Sequence, residues 1–254
     1  MNNIRPIKFL PAAAVLWHCL VPGSPSLAAS ESPGSALQSA GDWSGLSVFR
    51  EANRSVWQDK PDGGRVIFFG DSITQGWDLD QSFPAAGYVN RGISSQTTAQ
   101  MLLRFRQDVV ALKPQVVVIL AGTNDIAENT GPTTPEEIED NLMSMADLAK
   151  INGIRVVLCS ILPAGQYPWR TAIRPLEKIA AVNNWLAGYA VTHKLIYIDY
   201  FSKMQDGKHW MRSELSPDGV HPNAAGYAIM KTAVEPGILR ALKQSRQQDQ
   251  AGKS

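Results

Sequence analysis

Short apolar segments alternate with amphipathic helical segments along this chain of 254 residues, and the alternation restricts the possible folds more than any other feature. The predicted strands are Arg65–Phe69, Tyr88–Asn90, Gln115–Ala121, Arg155–Ile161 and Leu195–Asp199. Residues 116–120 and 156–158 are apolar on both faces, which is typical of strands covered by helices on both sides. These segments therefore predict the interior of an α/β protein.

Helical segments separate the predicted strands. One of them ends before Pro114 and carries a stripe of apolar residues at three- and four-residue spacing, namely Leu102, Phe105, Val109 and Leu112. Another begins with a capping box formed by Thr134 and Glu137, with Pro135 at the first helical position. A last helix is predicted to begin near Asn223. Such alternation predicts a mainly parallel sheet with helices on both faces.

Polar residues follow the predicted strands at their carboxyl ends. Ligands of open α/β sheets bind just beyond these ends, so the loops there are where functional residues are expected. The segments concerned are Ser72, Arg91-Gly92, Gly122–Asp125, Pro163–Arg170 and Asp218–His221. We expect them to meet at one edge of the sheet.

Ser72 is a candidate nucleophile because it follows a buried strand directly. A serine hydroxyl needs a base within hydrogen-bond reach, and the base needs a third group to orient it. His221 is the candidate base, since Asp218 lies three residues before it in the motif SPDGVHPN. The other histidines have no such motif; they are His18, His193 and His209. Taken alone, the Asp-x-x-His pattern fits a solvated loop equally well.

Acyl transfer also requires hydrogen-bond donors for the developing oxyanion. The candidates are the backbone N–H groups of Ser72 and Gly92 and the side-chain amide of Asn124, because a glycine allows close approach of the main chain. The alternatives are that Gly92 only forms a turn and that Asn124 only caps a helix. Asp71 and Asp125 are interpreted as structural carboxylates of their loops.

Four short motifs in this order resemble the conserved blocks of the GDSL, or SGNH, hydrolase family: GDSITQG at 70–76, NRGIS around Gly92, GTND at 122–125 and DGVHPN at 218–223. The resemblance extends from about Arg65 to Tyr227, with Ile73 in place of the leucine in the family name. It implies a flavodoxin-like three-layer α/β/α fold with a mainly parallel five-stranded sheet. It also implies a serine ester hydrolase without a cofactor, in which Ser72 is the nucleophile, His221 and Asp218 complete the triad, and Gly92 and Asn124 assist Ser72 in the oxyanion hole.

The segment LPAGQYPWR is expected at the catalytic edge and supplies candidate substrate-binding residues, Tyr167, Trp169 and Arg170. The alternative is that Trp169 only packs its loop against the domain. Short-chain or O-acetyl carbohydrate esters are the first expectation for the substrate, and lysophospholipids or longer lipid esters are the second. A non-catalytic glycan- or lipid-binding module is the rival from another class. A nucleotide-binding protein is disfavoured because the first loop lacks the Gly-x-Gly-x-x-Gly and P-loop patterns.

The two ends of the chain differ in composition from its middle. Residues 1–28 are predicted to be a signal peptide for export to the periplasm or the exterior, because two basic residues precede an apolar run and a small-residue cleavage site. A membrane anchor is disfavoured, since Pro11 and His18 interrupt a run that is short for a span. Residues 29–45 are predicted to be a flexible leader, 46–242 the hydrolase domain and 243–254 a disordered tail.

Charge and cysteine content limit the expected partners. Without the predicted signal peptide, 22 Lys and Arg residues face 23 Asp and Glu residues, so neither nucleic acid nor an anionic membrane is an expected partner. Cys159 then has no cysteine to pair with. The histidines and Cys159 are not spaced as metal ligands, so no metal site is predicted. The sequence leaves the oligomeric state open.

Overall fold

The predicted strands form one parallel sheet in the computed structural model, which describes residues 41–58 and 64–251. Its order is β2-β1-β3-β4-β5. The strands are β1 (Val66–Gly70), β2 (Val89–Gly92), β3 (Val116–Leu120), β4 (Arg155–Cys159) and β5 (Ile196–Ile198). The prediction of an α/β protein with a mainly parallel five-stranded sheet is confirmed.

The helices of the described residues connect these strands. They are α1 (Arg50–Gln58), α2 (Ser72–Gln75), α3 (Leu79–Ser82), α4 (Thr98–Asp108), α5 (Thr123–Ile126), α6 (Pro135–Ile151), α7 (Leu176–His193), α8 (Phe201–Met204) and α9 (Ala224–Ala251). Short 3-10 turns follow at Val110–Leu112 and Ser213–Leu215. The capping box predicted at the start of α6 is present, because Thr134 and Glu137 exchange side-chain and backbone hydrogen bonds.

Two apolar layers cover the two faces of the sheet. On one face, alternate strand residues such as Phe69 pack against α4, α6 and α7 through side chains such as Phe105 and Leu142. On the other face, the intervening residues, among them Phe68, pack against α9 through side chains such as Met230. This alternation follows the two-residue period of a strand and produces the three-layer α/β/α arrangement.

The strand order places the functional loops at a topological switch point. The chain runs outward from β1 to β2 and then returns to β3 on the other side of β1. Gly70 at the end of β1 is in register with both Gly92 and Leu120, so these three strands end at the same level. The loops that follow them therefore open into one crevice, the usual location of ligand sites in this class of sheet.

The ends of the domain differ from the sequence expectation. The predicted leader extends to residue 45, yet Ser44 is buried and its carbonyl accepts a hydrogen bond from the side chain of Gln96 at 2.8 Å. The predicted tail begins at residue 243, yet α9 continues through it to Ala251, because its Lys, Gln and Arg residues have high helix propensity. The signal peptide and residues 29–40 of the leader lie outside the described residues. In the described ranges, no helix has both the length and the apolar character needed to cross a bilayer.

Candidate active site

Ser72, His221 and Asp218 form a continuous hydrogen-bonded arrangement at the carboxyl edge of the sheet. The Oγ atom of Ser72 lies 2.9 Å from Nε2 of His221, although the two residues are 149 positions apart in the chain. The other ring nitrogen of His221, Nδ1, lies 2.7 Å from Oδ2 of Asp218. This is the geometry required of a hydroxyl nucleophile, a general base and a carboxylate that orients the base.

The Asp218 carboxylate is held by its own loop. Its Oδ1 accepts hydrogen bonds from the backbone N–H groups of Val220 and His221 at 2.9 and 2.8 Å and from the hydroxyl of Ser216 at 3.1 Å. Partial burial raises the pKa of Asp218, but the hydrogen bonds from His221 and Val220 outweigh it and lower the pKa to about 2. Asp218 is therefore ionised at neutral pH and fixes the proton of His221 on Nδ1.

Asp71 is a buried carboxylate beside Ser72. Its Oδ1 caps α2 by accepting a hydrogen bond from the N–H of Ile73 at 2.9 Å, whereas its Oδ2 has no hydrogen-bond partner in the described part of the chain. Burial, assisted by the nearby Asp125, raises the pKa of Asp71 to about 6.

Asp125 connects two loops, since it accepts hydrogen bonds from the N–H and the hydroxyl of Thr98.

Asn124 lines the same cleft as Ser72, and its side chain is held from two directions. Its Nδ2 donates to the carbonyl of Gln96 at 3.0 Å, and its Oδ1 accepts from Nδ2 of Asn129 at 2.8 Å. These partners distinguish the nitrogen from the oxygen of the amide and leave one N–H of Nδ2 for a ligand. Asn124 is almost fully buried yet lines the cleft, as an oxyanion donor must.

Gly92 does not reach the cleft, in contrast to the sequence expectation. Its N–H donates to Oδ1 of Asn90 at 2.9 Å and is thus already bonded within the protein. A Cβ atom at this position would lie 2.1 Å from the backbone nitrogen of Gln75 and 2.7 Å from the carbonyl oxygen of Asp71. The glycine is needed for the close approach of β2 to α2, which is a packing requirement.

Ser95 occupies the place expected for Gly92. It lines the cleft and has a left-handed backbone with φ of 65°, within a turn closed by a hydrogen bond of 3.4 Å from the N–H of Gln96 to the carbonyl of Ile93. Glycine or asparagine is usual at the positive-φ position of such a turn. The N–H groups of Ser72 and Ser95 have no acceptor among residues 41–58 and 64–251. Ser95 was not predicted from the sequence, because a glycine was expected as the backbone donor to the oxyanion.

A buried arginine holds this side of the cleft together. Arg104 is fully buried; it donates to the side-chain oxygen of Gln96, to the carbonyl of Gly70 at 3.0 Å and to that of Arg91 at 3.0 Å. It also forms a 3.1 Å ion pair with Asp108, which is equally buried. Burial lowers the pKa of Arg104 to about 10 against the opposing effect of Asp108, so the guanidinium remains charged at neutral pH.

The cleft in front of Ser72 has a volume of about 540 Å³ and is lined mainly by hydroxyl and amide side chains. Besides those already described, the polar lining residues are Ser94, Gln100, Asn129, Thr130 and Arg170. None of Ser94, Gln100, Asn129 and Thr130 was identified from the sequence, since each is an ordinary polar loop or helix residue. The lining can bind a polar ligand through many hydrogen bonds.

The predicted substrate-binding residues fall in two different environments. Trp169 is 42% exposed at the wall of the cleft, with its ring centroid 5.9 Å from that of His221 and its Nε1 donating to Asn129 at 3.1 Å. Arg170 lines the same wall. Tyr167 is fully buried beneath Trp169 and its hydroxyl bonds to that of Thr123 at 3.0 Å. Tyr167 therefore supports Trp169, and the sequence expectation of a direct substrate contact was wrong for it.

No group of three or more His, Cys, Asp or Glu side chains suited to hold a metal ion occurs within the described ranges. The arrangement instead has the parts of a serine hydrolase site: a hydroxyl bonded to an oriented imidazole, and donors across the cleft that face the same region.

Comparison with known proteins gives consistent matches. Residues 68–229 match the GDSL-like lipase/acylhydrolase family. Esterase TesA of Pseudomonas aeruginosa is 30% identical over 191 residues, which are 70% of this chain and 89% of that protein. An acetylxylan esterase of Xylanibacter ruminicola is 26% identical over 241 residues, 80% of this chain but only 47% of that protein. The crystal structure of a GDSL-like lipase from Bacteroides thetaiotaomicron is 40% identical and superimposes with a TM-score of 0.75, covering 78% of this chain and 99% of that one.

Proposed function

Since the chain belongs to the GDSL-like lipase/acylhydrolase family and is a carboxylic ester hydrolase, we propose that it cleaves esters with Ser72, His221 and Asp218 through an acyl-enzyme intermediate. The observation that carries the proposal is the unbroken sequence of contacts from Oγ of Ser72 to His221 at 2.9 Å and from His221 to Asp218 at 2.7 Å. In this arrangement Ser72 is the nucleophile, His221 is the general base and Asp218 orients the base.

In the first half-reaction, the Oγ of Ser72 attacks the ester carbonyl while Nε2 of His221 accepts its proton. The ionised Asp218 stabilises the resulting imidazolium through Nδ1. The negative charge that develops on the carbonyl oxygen is bound by the N–H groups of Ser72 and Ser95 and by Nδ2 of Asn124. Donors fixed in advance in this way need no reorganisation during the reaction, which is the main source of their effect.

The intermediate collapses when His221 gives its proton to the oxygen of the departing alcohol, and the acyl group remains on Ser72. A water molecule then attacks the acyl-enzyme, with His221 accepting one of its protons. The second collapse returns the proton to Oγ of Ser72 and releases the carboxylic acid. The products are one acid and one alcohol, and no cofactor takes part.

The polar cleft favours a small acyl group on a carbohydrate. Hydroxyl and amide groups line the space in front of Ser72, and Trp169 presents a half-exposed ring on which a sugar can stack. A long acyl chain would bury this polar surface without satisfying its hydrogen bonds, which is costly. The similarity to an acetylxylan esterase supports an O-acetyl carbohydrate ester over a lysophospholipid. The amino-terminal pattern supports export, so the substrate is an ester outside the cytosol.

The proposal is tested with Ser72→Ala assayed on p-nitrophenyl acetate. We expect kcat to fall by at least about 10⁴-fold, since subtilisin loses about 2 × 10⁶-fold in kcat without its serine. A fluorophosphonate should label the wild type but not the variant. Ser144→Ala, which changes an exposed serine on α6, is the matched control and should keep the wild-type rate. Undiminished turnover by a folded Ser72→Ala protein refutes the assignment, and binding of glycans without any turnover by the wild type supports the non-catalytic alternative.

The substrate class is tested on the wild-type protein. We expect higher kcat/KM for p-nitrophenyl acetate than for the octanoate, and release of acetate from acetylated xylan but little hydrolysis of lysophosphatidylcholine. Equal rates for the short and long esters would remove the preference for small acyl groups.

A further inference from the structure

A second cavity of about 240 Å³ adjoins the active-site cleft. The same two loops form walls of both spaces: the loop after β4 contributes Trp169 to the cleft and Pro168 to the cavity, and the loop before α9 contributes His221 to the cleft and Asp218 to the cavity. Asp218 therefore borders the cavity, whereas none of the residues proposed to bind the oxyanion lines it.

Trp210 contributes an aromatic side chain to the wall of this cavity. Its side chain lies against the backbone of Gly165, where a Cβ atom would be only 2.0 to 2.4 Å from three adjacent atoms of the indole. That contact covers one side of the ring, yet the residue remains 48% exposed. Trp210 differs from other exposed tryptophans, such as Trp43, in that it lines a cavity bordered by Asp218, so its exposed ring face is accessible to a ligand there.

The backbone around Trp210 is held in place independently of the ring. The N–H of Trp210 donates to the Asp206 carboxylate at 3.0 Å, and its carbonyl accepts from the N–H of Asp206 at 2.8 Å. Gln205 and Met211 pair on either side of this turn. The indole is thus presented on a fixed support, which lowers the entropic cost of binding a ligand against it.

The chemistry of the proposed function determines which part of the substrate lies nearby. His221 must protonate the departing alcohol, so the alcohol portion leaves the reaction centre on the imidazole side, whereas the carbonyl oxygen points to Ser95 and Asn124. The cavity borders Asp218, which contacts Nδ1, the ring nitrogen that faces away from Ser72. The sugar that carries the acyl group lies at Nε2, and a neighbouring sugar of the alcohol portion can reach the cavity past the exposed edge of His221.

We propose that this cavity binds a sugar ring of the alcohol portion, adjacent to the sugar that carries the acyl group, with Trp210 stacking against its C–H face. The inference rests on the proposed function and specifies that the alcohol is part of an oligosaccharide or polysaccharide.

An acyl chain fits this cavity less well than a sugar. The partly exposed Asp218 carboxylate and the Gln166 amide form part of the cavity wall. An apolar chain would displace water from these two polar groups without replacing the hydrogen bonds that they make with it. A sugar offers hydroxyl groups to these polar atoms and an apolar face to Trp210. The volume is also below the range of roughly 300–1,000 Å³ typical of sites for whole drug-sized ligands, so it suits a single ring.

The test compares Trp210→Ala and Trp210→Phe with Trp43→Ala, a matched control at a tryptophan that is also 48% exposed and lines neither space. On p-nitrophenyl acetate, which has no sugar, all three variants should remain within about twofold of the wild type. On acetylated xylo-oligosaccharides, Trp210→Ala should lower kcat/KM about tenfold, mainly through KM, the equivalent of 1.4 kcal/mol. Trp210→Phe should recover part of the loss because it retains a ring.

Three outcomes overturn the inference. The first is an unchanged KM of Trp210→Ala on the oligosaccharides, and the second is an equal loss in Trp43→Ala. The third is a selective loss of Trp210→Ala on p-nitrophenyl octanoate, which would assign the cavity to the acyl chain. Failure of the proposed function is seen separately in the wild type, as hydrolysis of p-nitrophenyl acetate without release of acetate from any acetylated oligosaccharide.

Discussion

The two sides of the cleft are built in different ways. On the side of the proposed oxyanion donors, Asn124 is held by the Gln96 turn, which is held in turn by the buried Arg104 and Asp108. On the other side, the side chains of His221 and Asp218 are 37% and 36% exposed and belong to a loop held by hydrogen bonds among its own residues. Both sides face the same serine.

The difference follows from what each side must do. The oxyanion donors act only when they are fixed before the reaction, and buried hydrogen bonds supply that rigidity. In the proposed mechanism the imidazole exchanges protons with substrate and water, and an exposed loop permits that exchange. We therefore expect changes on the exposed side to affect activity far more than stability, and changes on the buried side to affect activity and stability together.

The largest expected effect is that of Asp218→Asn on the exposed side. The three donors on Oδ1 would hold the amide oxygen in its place and turn Nδ2 toward Nδ1 of His221, so His221 would carry its proton on Nε2 and could not accept one from Ser72. The expected fall in kcat is about 10⁴-fold, as in the equivalent change in a serine protease. Steady-state kinetics and thermal unfolding check it. The control is Glu214→Gln, an exposed change in the preceding turn, which should leave kcat unchanged. A kcat of Asp218→Asn within tenfold of the wild type would exclude this role for Asp218.

The next largest expected effect is the loss of stability caused by Arg104→Met on the buried side. It removes one partner of a fully buried ion pair and leaves the Asp108 carboxylate with the hydrogen bond from Asn53 but without its bonded cation, which should lower the free energy of unfolding by roughly 3–5 kcal/mol. Denaturant unfolding measures the loss. The double change Arg104→Met with Asp108→Leu should recover a part of it, whereas Arg106→Met on the exposed face of α4 should change it by less than about 0.5 kcal/mol. Loss of activity without loss of stability would remove the contrast between the two sides.

Asn124→Ala should lower both kcat and the free energy of unfolding. Removal of one oxyanion donor is expected to lower kcat by about 10²- to 10³-fold with little change in KM. The carbonyl of Gln96 and the amide of Asn129 would each lose a partner, so the free energy of unfolding should also fall by about 1–3 kcal/mol. Kinetics on p-nitrophenyl acetate and denaturant unfolding check the two parts, with the exposed Asn152→Ala as the control. An unchanged kcat would show that Asn124 only supports the loop.

Asp71 should give the buried side a pH-dependent stability. Burial raises its pKa from 3.8 in the unfolded chain to about 6 in the folded protein, so the folded protein binds the proton more tightly. The contribution of this group to the free energy of unfolding is complete below pH 4 and is lost as the pH rises through about 6, a fall on the order of 3 kcal/mol. Unfolding of wild type and Asp71→Asn between pH 4 and 7 checks this. The variant should lose this fall and the exposed Asp80→Asn should keep it; an identical profile in Asp71→Asn would contradict the assignment.

Ser95→Gly should have the smallest effect. Glycine adopts a φ of 65° without the strain that serine carries, but it also increases the freedom of the unfolded chain, so the net change in stability should be within about 1 kcal/mol. The backbone N–H is retained, so kcat should stay within a few-fold. Gly92→Ala, which places a methyl group 2.1 Å from the backbone of Gln75, should be the more damaging change. A large fall in kcat for Ser95→Gly would indicate a role for the Ser95 hydroxyl.

The sequence predicted most of the fold because its signals are local. Each strand lies within a few residues of its expected position, since an apolar run that ends at a Gly-Asp or Gly-Thr turn has few other ways to be buried. The pairing of Asp218 with His221 is local as well, because the two residues are three positions apart and Gly219 between them, with φ of 80°, allows the carboxylate to reach the ring.

Gly92 and Tyr167 show where local reasoning fails. Their residue types suggested an oxyanion donor and a substrate contact, but a residue type does not determine the direction in which an N–H or a ring points. Gly92 turns its N–H to Asn90, and Tyr167 turns its hydroxyl to Thr123 below the cleft.

The sequence by itself determined the layered α/β architecture, the edge at which the polar loops meet, and the identity of Ser72 and His221 as the candidate reactive pair. Only the tertiary structure decided that Ser95 lines the cleft whereas Gly92 does not, that Arg104 holds the side chain of Gln96 beside Asn124, and that Trp210 borders a second cavity. The physical reason is that strand and helix patterns arise from neighbouring residues. Hydrogen-bond partners and cavities, in contrast, depend on segments that are distant in the chain and meet only in the folded protein.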